Sequence, residues 1–214
     1  MAQIEAAALA QAVIDGDAAE ARRLALLWTG AGGDPLQAIE LGFAPGIRRV
    51  GELWEEGEYF LPELIQGAEA MKSALAGLDP ALRASRSGRP ERGSVVIGTV
   101  QGDLHDIGKG LVATLLAAHG FTVHDLGSDV PVDAFVAETR RVRADVVAAS
   151  ALLTTTMVVQ RDLARAVREA GLEWAPRVLV GGAPTTPAWA REIGAAHAEN
   201  ALRAVAVAEA LVAR

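Results

Sequence analysis

The sequence predicts an α/β protein in two parts. Residues 1–80 read as a four-helix bundle, and residues 94–214 as a flavodoxin-like (Rossmann-like), doubly wound domain with a parallel five-stranded sheet. Three observations carry this. Helix start and stop signals recur through the first part with no strand-like run between them. A polar stretch, Ser85-Arg86-Ser87-Gly88-Arg89-Pro90-Glu91-Arg92-Gly93, interrupts the pattern and reads with its flank as a linker over 81–93. Short apolar runs then alternate with helix-period segments, the signature of βα units with right-handed crossovers.

In the first part, a helix over 4–14 is broken by Asp15-Gly16-Asp17, and Asp17 caps a second over 18–29. Asp34 at N-cap and Pro35 at the first helical position open a third, which runs toward Glu56 with an interruption near Gly42 to Gly46. Gly57 ends it. Pro62 opens a fourth to about Leu78, with Leu64, Ala68, Met71 and Leu75 as its buried face and Asp79-Pro80 as a turn. Short loops between four helices suggest an antiparallel bundle.

In the second part, strands are expected over 95–100, 122–126, 146–150 and 178–180, with a short fifth near 195–198. Helices are expected over 108–119, 132–143, 156–171, 187–193 and 200–213. The strand runs are short and apolar throughout, as strands covered on both faces are.

Composition narrows the function. A net charge of −7 argues against a broad nucleic-acid surface. No apolar run reaches the roughly 18–20 residues a membrane span needs. No basic segment precedes an apolar core at the N-terminus, so no signal peptide is expected. The chain has no cysteine, which excludes disulfides, thiolate zinc sites and cysteine-held iron–sulfur clusters. A cytoplasmic protein is the simplest expectation.

Three loops at the carboxyl ends of strands hold the residues that point to chemistry, where ligands bind in an open α/β sheet. The first is Gly102-Asp103-Leu104-His105-Asp106-Ile107-Gly108, a histidine between two carboxylates. An imidazole there can hold a metal while a carboxylate on its other nitrogen fixes its tautomer. The second is Ser150-Ala151-Leu152-Leu153-Thr154-Thr155-Thr156, rich in hydroxyls. The third is Gly181-Gly182. Taken singly, each has an ordinary reading: a surface histidine, an N-cap at Asp106, turn residues elsewhere. Their order on successive strands gives them weight.

Together these residues resemble the signature of base-off/His-on cobalamin-binding proteins: Asp103, His105 and Gly108, then Ser150 and Leu152, then Gly181 and Gly182. The helical part, from Ile39 to Met71, resembles the cap bundle of cobalamin-dependent methyltransferases, including methionine synthase. The resemblance implies that His105 is the lower axial ligand of cobalt and that Asp103 hydrogen-bonds its other nitrogen. Ser150 either continues that network or faces the displaced nucleotide. Leu152, Thr154, Gly181 and Gly182 line the nucleotide slot, and the glycines let the tail pass close to the backbone. Gly102, Leu104, Asp106 and Ala201 fall in the same cofactor-binding segments. Trp54 and Leu61 pack over the upper face of the corrin, and Glu40 matches a position that contacts the cofactor.

The implied function is a corrinoid protein that shuttles a methyl group through cob(I)alamin and methylcob(III)alamin, with cobalamin as its cobalt cofactor. Its partners would be a methyl-donor methyltransferase, a methyl-acceptor methyltransferase and a reductive activase. The alternative is a sensor of adenosylcobalamin. Trp54 is typical of light-sensing repressors of that kind, but their Glu-His pair is replaced here by Leu64 and Ile65.

Overall fold

The computed structural model describes residues 4–86 and 92–213, in two compact units, Met1–Ser87 and Gly88–Arg214. The first is helical: α1 (Ala6–Ile14), α2 (Ala18–Gly30), α3 (Pro35–Gln37), a π-helical turn (Ala38–Phe43), α4 (Ala44–Glu55) and α5 (Leu61–Arg86). Asp17 caps α2 through the Glu20 N–H at 2.9 Å, and Asp34 caps α3 through the Leu36 N–H at 2.9 Å. Glu63 reaches back to the Phe60 N–H at 3.0 Å and secures the start of α5.

The interruption expected near Gly42 to Gly46 is a π turn that begins earlier. Pro45 has no N–H for the carbonyl four residues back, and the wider turn absorbs that defect. Gly42 and Gly46 let this segment lie directly on α1: a Cβ on Gly42 would come within 2.6 Å of Leu9, and one on Gly46 within 2.6 Å of the Ala10 carbonyl.

Two expectations about α5 are corrected. Asp79-Pro80 is not a turn; the helix runs through it to Arg86. The bond that Pro80 cannot donate falls on Ala76, which is exposed to solvent, while Leu78 and Leu82 stay buried on either side. The expected linker 81–93 is therefore helical to Arg86; residues 87–91 lie outside the described residues, and β1 starts at Gly93. The buried face also differs. Leu64, Ala68 and Leu75 are half-buried, and the contacts are made by Gly67, Ala70, Met71, Ala74, Gly77 and Leu78. A Cβ on Gly77 would meet Ala25 at 3.0 Å and one on Gly67 would meet Val50 at 3.0 Å, so small residues set how closely α2 and α4 approach.

The second unit alternates β1 (Gly93–Thr99), α6 (Ile107–Ala118), β2 (Phe121–Asp125), α7 (Val132–Val142), β3 (Val146–Ser150), α8 (Thr154–Glu169), β4 (Arg177–Gly181), α9 (Pro187–Ile193), β5 (Ala196–Ala198) and α10 (Ala201–Val212). All strand pairs are parallel, in the order β2-β1-β3-β4-β5. This is the doubly wound, flavodoxin-like order. Helices α6 and α10 pack together, as do α7, α8 and α9, leaving the sheet between two helical layers. Val96, Val147 and Val180 are fully buried at its centre, each worth about 1.5–3 kcal/mol relative to exposure. Among the described residues no helix is long and apolar enough to cross a membrane.

Candidate functional site

The strand order places the site. The chain leaves β1 for β2 on one side and returns to β3 on the other, so the loops after β1 and β3 part at the switch point of the sheet. The register is level there: Thr99 pairs with Ser150, Ser150 with Gly181, and Gly181 with Ala198. The three loops singled out in the sequence thus leave the sheet close to a single row.

The loop after β1 is fixed at several points. Gly102 adopts φ +83°, which favours glycine, and its N–H donates to Asp129 Oδ1 at 2.7 Å. The Asp129 N–H donates to the Asp103 carbonyl at 2.9 Å. Thr99, fully buried, donates its hydroxyl to the His105 carbonyl at 2.9 Å.

Asp103 is the centre of the site and is fully buried. Its Oδ1 takes the His105 ring Nδ1 at 2.6 Å and the His105 backbone N–H at 3.1 Å. Its Oδ2 takes the Leu152 N–H at 2.7 Å and the Thr156 hydroxyl at 2.8 Å. Burial pushes the carboxyl up, but the Leu152 N–H, the His105 ring, the Thr156 hydroxyl and the His105 N–H outweigh it. They hold the carboxyl well below the usual carboxylate range. An ionised Asp103 keeps the proton of neutral His105 on Nδ1 and leaves the Nε2 lone pair for a metal. The His105 side chain is 54% exposed, so the ring is held at one edge and open at the other.

Thr156, rather than Ser150, supplies the hydroxyl on Asp103. The sequence placed Thr156 in the hydroxyl-rich run without singling it out; the available signal was its position two residues into α8, facing back toward β1. Ser150 is half-buried at the end of β3, and its carbonyl receives the Val100 N–H at 3.0 Å. Asp106 stands at the N-cap of α6, but its side chain does not cap the helix; its carbonyl takes the Gly110 N–H at 2.7 Å. Leu104 (74% exposed), Leu152 and Leu153 (42% each) offer apolar surface beside His105. Thr154 is exposed at the start of α8, and Ala201 begins α10 behind the Asn200 cap.

Two glycines behave differently. At Gly182 φ is +122°, and a Cβ would stand 1.8 Å from the Ala151 carbonyl oxygen. The fold itself demands this glycine, so its need is not a matter of ligand clearance alone. At Gly108 a Cβ would meet nothing within 4 Å; protein packing leaves that surface free. A pair absent from the sequence reading also lies beside the loop: Lys109, 5% exposed, donates to both Asp125 oxygens at 2.7 and 2.6 Å. It holds the first turn of α6 to the end of β2.

Among the described residues no three metal-binding side chains converge. A metal on His105 would take its other ligands from water or from a macrocycle that carries it. The single imidazole, the apolar leucines and the open surface at Gly108 fit such a group. In the helical unit, Glu40 lies half-buried in the π turn, and Trp54 (44%) and Leu61 (58%) are exposed with Phe60 and Ile65.

Comparison with known proteins agrees with this geometry. Residues 93–206 match the B12 binding domain, and residues 5–78 match a second family model of the same description. Dimethylamine corrinoid protein 1 of Methanosarcina acetivorans is 46% identical over 181 residues, 84% of each chain. The solved monomethylamine corrinoid protein of Methanosarcina barkeri superposes with a TM-score of 0.85 at 35% identity, covering 96% of this chain and 97% of that one. The methanol:cobalamin methyltransferase complex of the same organism matches with a TM-score of 0.55 at 28% identity, over 96% of this chain and 78% of that one.

Proposed function

The chain belongs to the B12-binding corrinoid proteins, and from that premise we propose that it is the methyl carrier of a multicomponent methyltransferase system, holding cobalamin base-off with His105 on the cobalt. The observation that carries the reading is the buried Asp103 carboxylate 2.6 Å from His105 Nδ1. It presents Nε2 as a ligand of one fixed tautomer and orientation.

When bound, the cobalt of the cofactor supplies the centre that accepts a methyl group and gives it up again. The residues of the chain do the rest. Asp103 holds the ring of His105 at Nδ1, and Thr156 holds Asp103 through its other oxygen. Leu152, Thr154, Gly181 and Gly182 are the walls of the nucleotide slot, with Gly102, Leu104, Asp106, Gly108 and Ala201 around it. In the helical unit, Glu40, Trp54 and Leu61 are the residues proposed to contact the cofactor.

The partners are a donor and an acceptor methyltransferase, with a reductive activase to restore the cofactor. Support comes from the relatives named for dimethylamine and monomethylamine and from the solved methanol methyltransferase complex. They put methylated amines first among donors to be tested. No comparison favours the adenosylcobalamin sensor.

The test is spectroscopic. Protein reconstituted with cobalamin should show the base-off, histidine-ligated spectrum, and His105→Ala should show a base-off spectrum without histidine coordination. An H105A spectrum identical to the wild type refutes the assignment.

A further inference from the structure

Behind the slot walls, on the α8 side of the sheet, lies a polar side chain that the proposed mechanism does not use. Gln160 of α8 is fully buried. Its Nε2 donates to the Ala149 carbonyl of β3 at 3.0 Å and to the Gly181 carbonyl of β4 at 3.1 Å. Its Oε1 accepts the indole N–H of Trp189 at 3.0 Å, which fixes which end of the amide is oxygen. Trp189 lies under the Arg161 guanidinium, 4.6 Å from the ring centre, and Arg161 is paired with Glu192 at 2.6 Å. The amide is thus oriented by a chain of contacts that starts at the surface of α9.

Gln160 is not there to rescue an orphaned carbonyl at Gly181, which already receives the Ala151 N–H at 3.1 Å. A methionine or leucine could occupy this fully buried position without burying an amide, and burying a polar group is costly. What the amide adds is a tie between two neighbouring strands across their last two rungs, Ala149 with Val180 and Ser150 with Gly181. Immediately beyond the last rung stand Ala151 on one side and Gly182 on the other, pressed against each other, and Leu152 follows Ala151.

We propose that Gln160 is a positioning residue for the nucleotide slot: from inside the core it sets the spacing of the β3 and β4 ends and thereby the affinity for a corrinoid that carries a nucleotide tail. This rests on the slot assignment made above. Gln160 itself touches no cofactor; it acts through Ala149 and Gly181.

The experiment compares two probes, cobalamin and the tail-less corrinoid cobinamide, by absorbance titration of the full chain. In the wild type cobalamin should bind more tightly than cobinamide. In Gln160→Met the affinity for cobalamin should fall about tenfold, the size of one lost positioning hydrogen bond, while that for cobinamide stays within about twofold. Trp189→Phe keeps an aromatic ring and removes the N–H; it should shift the same ratio in the same direction by less, and it carries the test if Q160M does not fold. An equal loss for both probes, or an unchanged ratio in the variants, overturns the role of Gln160 and leaves the slot standing. A wild type that binds both probes equally overturns the slot assignment and this proposal with it.

Discussion

Replacing Asp103 with Asn tests the centre of the site with a change of one atom. The carboxylate accepts four hydrogen bonds, two on each oxygen, between 2.6 and 3.1 Å. An amide has one oxygen to accept and an NH2 that donates. If the NH2 faces Leu152, the Leu152 N–H loses its acceptor, which costs about 1–3 kcal/mol. If it faces His105, the His105 N–H is the one left unpaired, and Nδ1 must become an acceptor. The ring proton then moves to Nε2, and the ligand lone pair is lost. The charge that strengthened every bond is removed in either case, so D103N should destabilise the second unit by about 2–4 kcal/mol. In the second arrangement cobalamin affinity should fall about 10- to 100-fold. Nitrogen-15 NMR of the cofactor-free variant reads the tautomer of His105 directly, and absorbance titration reads the affinity. A D103N protein of wild-type stability, or one with the proton on Nε2 and wild-type affinity, would refute the reasoning.

The other predictions concern the surroundings of that carboxylate. Thr156→Val removes one of the bonds that lower the pKa of Asp103. A carboxyl depressed in the folded state stabilises the fold fully above its unfolded value of about 3.9 and loses that contribution as pH falls toward the folded value. T156V should therefore raise the folded value and move the acid limb of the melting-temperature profile to higher pH; superimposable acid limbs for variant and wild type would count against it. Gly182→Ala must accommodate a Cβ drawn 1.8 Å from the Ala151 oxygen at φ +122°. A loss of at least about 3 kcal/mol is expected, and chemical denaturation of the cofactor-free protein would show it. Asp125→Asn leaves Lys109 buried without its charge partner and should cost about 3 kcal/mol. Lys109→Met leaves only a half-exposed Asp125 behind and should cost less; the reverse order in thermal melts would contradict the account of this pair.

The βα half was legible because β1, β3 and β4 are short apolar runs closed by glycine or a hydroxyl residue, and the helices between show their own period. Signals of this kind are local. The features missed depend on distant partners. Pro80 reads as a helix stop until it is known that Leu78 and Leu82 are both buried and that the bond lost at Ala76 faces water. Leucines suggested the buried face of α5, yet Gly67 and Gly77 decide it, because α4 and α2 lie too close for larger side chains. At the site, Asp103 and His105 stand in one loop, where the sequence and the family resemblance single them out together. Thr156 was not singled out, because 53 residues separate it from Asp103 and only the pairing of β1 with β3 brings them together. Asp129 on Gly102 and Asp125 on Lys109 are also contacts from the β2 side that no local pattern announces.

The level row Thr99, Ser150, Gly181 and Ala198 has one more consequence. Residues in register across a parallel sheet point to the same face, and every member of this row is small, where the strands lower down carry valine, isoleucine and leucine. On that face the sheet thins toward its carboxyl edge. The depth of that face is therefore decided by side-chain volume in the strands, which the backbone ladder holds in register. The loops above are left to differ in chemistry without altering that floor.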